Sequence, residues 1–407
     1  MRNGHTRLKF VILTQQPWED KNIGSNIWDM AYTLAKTHQV LLVNQAMDWS
    51  VRFGEGSKKF QQRQRFIQRN NGQHLIEVEA DFWVLSPKVT LGSFNWLPDS
   101  PVYDGLNRCN GRRLAVEIKS VLSELQWESY ILINDNDMLR GFYLKELLRP
   151  ELYVYYLRDN LSASTYWKRH GARLEPKLIV KADLIVSNSI YLTKQAARYN
   201  SNAVYIGQGC DQTLFDPDKV EAEPSDIARL PKPRIGYTGA LTAMRLNVEL
   251  IEAVATRRPD WQVVLIGPTD ESFPKERLLT LPNVTILGAR PMRQIPAYLA
   301  SMDVLINPQV LNEMTIGNYP RKVDEYLAMG KPVVAVRTEA MALFEKHVFL
   351  AETTDAFIDS IAKALDGTHP STAKERIAFA LSHTWENSVR LLSETIDKLL
   401  TKKVRAA

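Results

Sequence analysis

The stretch Thr315-Ile-Gly-Asn-Tyr-Pro-Arg-Lys-Val-Asp-Glu-Tyr-Leu-Ala-Met-Gly-Lys-Pro-Val-Val-Ala-Val336 reads as a loop, a helix and a strand in succession. Pro320 suits a first helical turn, where proline's fixed φ fits and its missing N–H costs nothing. Gly330, followed by Lys331 and Pro332, suits the stop, because glycine takes the left-handed backbone and proline cannot continue a helix. On that helix Lys322 and Glu325 stand three apart and share a face, while Val323, Tyr326 and Leu327 are free to face a sheet. The polar pair has two readings. In one, the free N–H groups, the helix dipole and the Lys322 ammonium favour phosphate, with Glu325 accepting from ribose hydroxyls one turn deeper. In the other, it is an ordinary ion pair on an exposed helix. The helix alone does not choose.

Outward from this stretch, short runs rich in Val, Ile and Leu alternate with helical periods along the whole chain. Strands are predicted at residues 9–13, 40–43, 130–133, 152–156, 184–187 and 203–206, with helices at 27–35, 175–181 and 192–198. A second series of strands falls at 234–238, 262–266, 284–287, 304–307 and 333–336. Runs that are apolar throughout belong to parallel strands buried on both faces, and their alternation with helices implies doubly wound sheets. Two series imply two Rossmann-like domains, expected at 1–214 and 234–380. Between them, 215–233 carries Pro217, Pro224, Pro231 and Pro233 among acidic residues, which is linker chemistry. A last helical pattern, within 381–407, has no strand of its own.

Composition narrows the class. The chain has 407 residues, 45% of them hydrophobic and 24% charged, with 51 basic against 46 acidic side chains. Those proportions exclude a disordered tail, a collagen and a coiled coil. Cys109 and Cys210 stand far apart without metal-ligand spacing, which argues against a disulfide framework or structural zinc. No run approaches the roughly 20 apolar residues a spanning helix needs. The expectation is an intracellular protein, cytoplasmic or peripheral on the inner face of the plasma membrane.

The segment 319–334 resembles the nucleotide-sugar signature of GT-B glycosyltransferases of the group 1, family 4-like superfamily. Three further segments agree. Gly236-Tyr-Thr-Gly-Ala-Leu241 resembles the glycine-rich loop that opens the donor domain. Val284-Thr-Ile-Leu-Gly288 and the run from Ile295 to Val304 resemble the segment flanking the base pocket, with Arg290 between them on the donor side. Val204-Tyr-Ile-Gly-Gln-Gly-Cys-Asp211, followed by Phe215, resembles the end of the acceptor domain. The resemblance implies the α/β GT-B fold: two facing Rossmann-like domains with parallel sheets, and a C-terminal helix that crosses back to the first. It implies donor binding by Gly239, Arg245, Arg290, Thr315, Gly317, Asn318, Tyr319, Lys322 and Glu325. The donor would be a nucleoside-diphosphate sugar, UDP- or GDP-linked. The family usually carries a glutamate eight residues before the position of Glu325, where this chain has Gly317. That departure leaves the amides of Gly317 and Asn318, with Thr315 nearby, as donors to sugar or phosphate.

In the acceptor half, Asp159 follows a buried strand and should leave the sheet at its carboxyl end, where ligands bind. A carboxylate there can take the proton of an acceptor hydroxyl, and the place resembles that of the base aspartate in inverting xanthan-type glucuronosyltransferases. Asp135 and Asp137 are the next candidates; capping a turn is the other reading of Asp159. In the first loop, Trp18 offers a flat face for a sugar ring or simply packs on the domain, Glu19 and Asp20 are other possible bases, and Gly24 permits close approach. Residues 51–70 hold Arg52, Lys58, Lys59, Arg63, Arg65 and Arg69 against Glu55, with Phe53, Phe60 and Phe66 interleaved. Such a stretch can lie on an anionic membrane or be a solvated helix. No nucleic-acid module accompanies it.

The function these readings imply is metal-independent transfer of a sugar to a hydroxyl acceptor, a surface polysaccharide or its lipid-linked precursor. No cofactor is implied, and Asp135-Asn-Asp137 has metal-ligand spacing but sits in the wrong half. Two alternatives stay open: a nucleotide-sugar epimerase on the same fold, and a binding module that has lost catalysis.

Overall fold

The computed structural model describes residues 7–19, 25–53 and 57–406. The chain divides into two compact units, residues 1–207 with 385–407, and residues 208–384.

The first unit is built on eight strands: β1 (Lys9–Leu13), β2 (Gln39–Val43), β3 (Leu75–Glu79), β4 (Phe82–Leu85), β5 (Ile131–Asp135), β6 (Leu152–Leu157), β7 (Leu184–Ser187) and β8 (Ala203–Tyr205). Their order is β3-β4-β2-β1-β5-β6-β7-β8. Every pairing is parallel except β3 with β4. Helices cover both faces, so β1 sends Val11 and Leu13 into one core cluster and Phe10 and Ile12 into the other. That is why its run is apolar throughout. The strand order reverses between β1 and β5, the point where open α/β sheets bind ligands beyond their carboxyl ends.

The second unit holds β9 (Arg234–Thr238), β10 (Gln262–Ile266), β11 (Val284–Gly288), β12 (Val304–Asn307), β13 (Val333–Val336) and β14 (Phe349–Ala351) in the order β11-β10-β9-β12-β13-β14. All are parallel, and the order reverses between β9 and β12.

Several elements depart from the sequence reading. Strands β3, β4 and β14 were not expected. β3 and β4 form an edge hairpin whose outer strand, Leu-Ile-Glu-Val-Glu, is only half-buried, and β14 is an edge strand of three residues. The helix Pro101–Glu124 was also missed, because Asn107 and Gly111 interrupt its apolar face. Its Ser100 cap, accepting from the Tyr103 amide at 3.3 Å, and its first-turn Pro101 were the legible signals. The helix expected at 175–181 starts at Thr165 and runs through Pro176. The expected linker is not a free segment either. Phe215 and Ile227 are buried in the second unit's core, with Val220 and Leu230 packed against it. The division accordingly falls after Gly207 rather than after residue 214.

The final helix, Trp385–Ala406, buries Trp385, Val389, Leu392 and Ile396 in the same cluster as Ile27 and Trp28 of the first unit. Those positions follow helical spacing and make one apolar stripe.

Candidate functional site

At the reversal point of the second unit, three segments meet. The first is the turn after β9. Gly239 has φ +138°, and Gly267, after β10, has φ +152°; a Cβ on Gly267 would lie 1.9 Å from the Gly239 carbonyl oxygen. Only glycine allows these two turns to pack backbone against backbone. The second is the helix Arg321–Ala328, whose Val323, Tyr326 and Leu327 are fully buried. The Tyr326 hydroxyl accepts from the Thr238 amide at 2.8 Å and locks the helix to the end of β9. At its other end the Gly330 amide donates to Leu327 and the Lys331 amide to Tyr326, with Gly330 at φ +68°. This is the Schellman closure that Gly-Lys-Pro foreshadowed. The third is the loop after β12, tied to the first by the Val310 amide donating to the Arg245 carbonyl at 3.0 Å.

Lys322 rises from this helix to the glycine turn. Its Nζ donates to the Tyr237 hydroxyl at 2.7 Å and would lie 3.0 Å from a Cβ on Gly239. Burial pushes the ammonium down to about 8, and the positive charge of Arg245 adds to the shift against the pull of Glu325. Glu325 is buried, which raises its carboxyl above the ordinary range, but its ion pair is with Arg321 at 3.2 Å, one turn back. The polar pair seen in the sequence is therefore split between two partners. Arg245 is exposed in the turn that precedes the helix Val248–Arg257, near enough to act on Lys322. A glycine turn with one cation seated on it and a second near that cation suits a phosphate-bearing ligand.

Four expected donor-side groups are occupied within the protein. The Thr315 hydroxyl donates to the Val310 carbonyl and accepts from the Asn312 amide at 3.1 Å, and the residue is 1% exposed. The Asn318 amide closes a turn on the Thr315 carbonyl at 3.1 Å, while the Gly317 amide finds no acceptor within the protein among the described residues. Arg290 spends its guanidinium on Asp226 at 2.8 Å, the Tyr298 hydroxyl at 2.9 Å and the Ala289 carbonyl. The Tyr319 hydroxyl donates to the fully buried Asp324, which also binds His383 Nδ1 at 2.8 Å. Sequence reading missed Asp324, His383, Tyr237 and Gly267. For Gly267, the Ile-Gly-Pro step at the end of an apolar strand was the available signal.

In the first unit, Asp135 ends β5 at the reversal point. It is fully buried and bound by Arg158, Nε to Oδ1 at 2.6 Å. Burial raises its carboxyl above the ordinary range against the pull of Arg158. Asp137 is 6% exposed and caps the turn that follows, accepting from the amides of Leu139 at 3.0 Å and Arg140 at 2.8 Å. Both are structural anchors rather than accessible bases. Asp159 keeps a quarter of its side chain exposed, with Arg158 Nη1 at 3.5 Å. Asn136, at φ +55°, ties the two turns together: its amide donates to the Asp159 carbonyl at 3.0 Å and its oxygen accepts from the Arg158 amide at 3.1 Å.

The acceptor-side expectations change most. Trp18 is 3% exposed and packs edge-on against Trp28 and Phe82, so it is core and offers no sugar platform. Glu19 is sealed in an ion pair with Arg63, the two side chains 4% and 3% exposed. This removes Glu19 as a base and takes Arg63 out of the basic surface. Lys58, Lys59, Arg65 and Arg69 remain exposed on the helix Ser57–Arg69, with no acidic partner among the described residues. Asp20 and Gly24 lie outside the described residues. Among the described residues no three His, Cys, Asp or Glu side chains gather as metal ligands, and no helix is long and apolar enough to cross a membrane.

Two doubly wound sheets of this topology are those of the GT-B fold, and solved structures agree at the level of the fold. Sucrose-phosphate synthase of Thermosynechococcus elongatus superposes with a TM-score of 0.70 at 15% identity, covering 97% of this chain and 100% of that one. HepE of Anabaena, solved in complex with UDP, gives 0.63 at 18% identity over 97% of this chain and 100% of that one. Residues 232–367 match the family described as glycosyl transferases group 1. The second unit is thus a group 1 glycosyltransferase domain. A provisionally assigned teichuronic acid biosynthesis glycosyltransferase of Bacillus subtilis (strain 168), TuaH, is 28% identical over 241 residues, 56% of this chain and 60% of the relative. The 2-deoxystreptamine glucosyltransferase of Streptomyces kanamyceticus is 26% identical over 136 residues, 30% of this chain and 34% of the relative. The chain thus spans 60% and 34% of the lengths of these curated relatives.

Proposed function

We propose that the protein transfers a sugar from a nucleoside-diphosphate donor, UDP- or GDP-linked, to a hydroxyl of a bacterial surface polysaccharide or its lipid-linked precursor. The observation that carries this reading is Lys322 seated at the Gly239 turn, with the charge of Arg245 close enough to act on it, inside the segment matched to group 1 glycosyltransferases. The diphosphate sits against that turn, and as the bond from anomeric carbon to phosphate oxygen breaks, the two cations stabilise the charge left on the diphosphate. No metal is needed for that step in this reading. Asp159 takes the proton of the attacking hydroxyl, the new glycosidic bond forms at the anomeric carbon, and the product is inverted. The exposed cations of Ser57–Arg69 hold the protein to the anionic inner face of the plasma membrane.

The test is a melting-temperature screen of UDP-, GDP- and ADP-sugars, followed by transfer assays with and without EDTA. One nucleotide class should raise the melting temperature by mass action, and transfer should survive chelation. No stabilisation by any of them would overturn the assignment, isomerised donor without acceptor would favour the epimerase, and binding without transfer would favour an inactive module.

A further inference from the structure

The helix Ala373–Ser382 packs against the helix Arg321–Ala328 and holds it at two places. At one, Arg376, 3% exposed, turns its guanidinium onto the Gly330 carbonyl, Nε at 3.1 Å and Nη2 at 2.8 Å, just past the last turn of Arg321–Ala328. At the other, His383, the C-cap of Ala373–Ser382, sets its Nδ1 2.8 Å from Asp324 Oδ1. The Tyr319 hydroxyl donates to the second oxygen. Asp324 is fully buried, which raises its carboxyl above the ordinary range against the pull of His383. A buried carboxyl needs its oxygens occupied, and here one of them is served by a residue 59 positions away.

His383 is itself fixed from three sides. Its ring meets Phe379 and Phe344 edge-on, with centroids 4.6 Å and 6.2 Å away. Its carbonyl accepts from the Cys210 amide at 3.0 Å, and nearby Gln212 Nε2 donates to the Leu381 carbonyl at 2.9 Å. Cys210 and His383 lie beside the two ends of the second unit, residues 208 and 384. One residue therefore ties both ends of the unit to the helix that carries Lys322 and Glu325. That helix has only eight residues, about two turns, so a displacement at Asp324 moves its neighbour Glu325 and, two residues back, Lys322. Without His383, Asp324 would keep its burial and lose a partner, and shifting toward water is the relief open to it. Side chains that grip a ligand work only where the residues behind them fix their place.

We propose that His383 is a positioning residue for the nucleotide: acting through Asp324, it holds the helix so that Lys322 and Glu325 meet the diphosphate and ribose of the donor. The proposal rests on the glycosyltransferase reading for the nucleotide, and on the hydrogen-bond geometry for the role of His383.

Calorimetry with UDP on the full chain tests it, with melting temperatures confirming that each variant is folded. His383→Phe keeps an aromatic ring but loses Nδ1, and its UDP affinity should fall at least tenfold. His383→Asn returns an N–H near the place of Nδ1 and should bind within threefold of the parent. In an Asp324→Asn background, His383→Phe should cost less than a further twofold, because the two residues act as one unit. In transfer assays the donor KM of His383→Phe should rise while kcat stays within threefold, the mark of lost donor binding. One readout needs no substitution: in the parent, the His383 Hε1 resonance should shift as UDP is added and saturate at the calorimetric Kd. Parent-like UDP affinity in His383→Phe, a His383→Asn variant as weak as His383→Phe, full additivity with Asp324→Asn, or an unmoved His383 resonance would overturn the proposal. A parent chain that binds no UDP would overturn the glycosyltransferase reading, and the positioning role with it.

Discussion

At Lys322 the ammonium, held down to about 8 by burial, is charged at neutral pH and neutral well above it. The unfolded chain keeps the ordinary value of 10.5. Between those two values the unfolded state binds more protons, so the contribution of this site to stability rises with pH. The cost of the buried charge is fully present below 8 and is relieved on the way to 10.5. The stability difference between the parent and Lys322→Gln should therefore grow in the parent's favour from pH 7 to 10 in urea titrations. Donor binding runs the other way, because the diphosphate needs the charged form. UDP affinity should fall roughly tenfold between pH 7 and 9.5, and calorimetry on Lys322→Gln should show that dependence flattened. Lys322→Ala at pH 7 should cost about 1.5–3 kcal/mol of donor binding, the worth of one charge-assisted hydrogen bond. Asp159→Asn keeps the shape but cannot take a proton, so transfer should drop about 10²–10⁴-fold with UDP affinity retained. A near-parent rate would remove Asp159 as the base.

Among the elements, the paired glycine turns and the final helix make the sharpest commitments. Gly267→Ala places a methyl group 1.9 Å from a backbone oxygen at φ +152°. It should destabilise the second unit by about 2–4 kcal/mol, overpacking and a glycine-only backbone together, as denaturant midpoints would show. The final helix belongs to the first unit's core although it follows the second unit in sequence. Leu392 is fully buried there, and Leu392→Ala should cost about 2–5 kcal/mol. Hydrogen exchange should speed up in Asn26–Ala35, the helix it packs beside, while the second unit keeps its protection. The helix Arg321–Ala328 was legible in full, since proline, glycine and the spacing of its apolar residues are local signals. Pro101–Glu124 was not, because its buried face includes Asn107 and Gly111. Gly111 is placed by close packing against Leu147 and Tyr143, a contact of the folded state only.

For the whole molecule, each unit has its own cores, and nucleotide is expected to act on one of them. UDP at about 100 times its Kd should stabilise by about 2.7 kcal/mol. Hydrogen exchange should localise that protection to the segments around 237–245 and 315–325, and protection centred on the first unit instead would contradict the donor assignment. The sequence by itself determined the strand-and-helix alternation, the two parallel sheets, the glycine turn at 239 and the helix that carries Lys322. Each is written in local periodicity or in residues with special backbone freedom. Only the tertiary structure decided which polar groups are spent. It turned Trp18 into core, sealed Glu19 with Arg63, committed Thr315, Arg290 and Tyr319 to partners inside the protein, and left Asp159 the most open of the three aspartates. It also brought Trp96 and Tyr166, far apart in sequence, to the wall of one cavity. The reason is physical: whether a charge or a ring is free for a ligand depends on neighbours far away along the chain. No window of sequence contains both partners of a buried ion pair 44 residues apart.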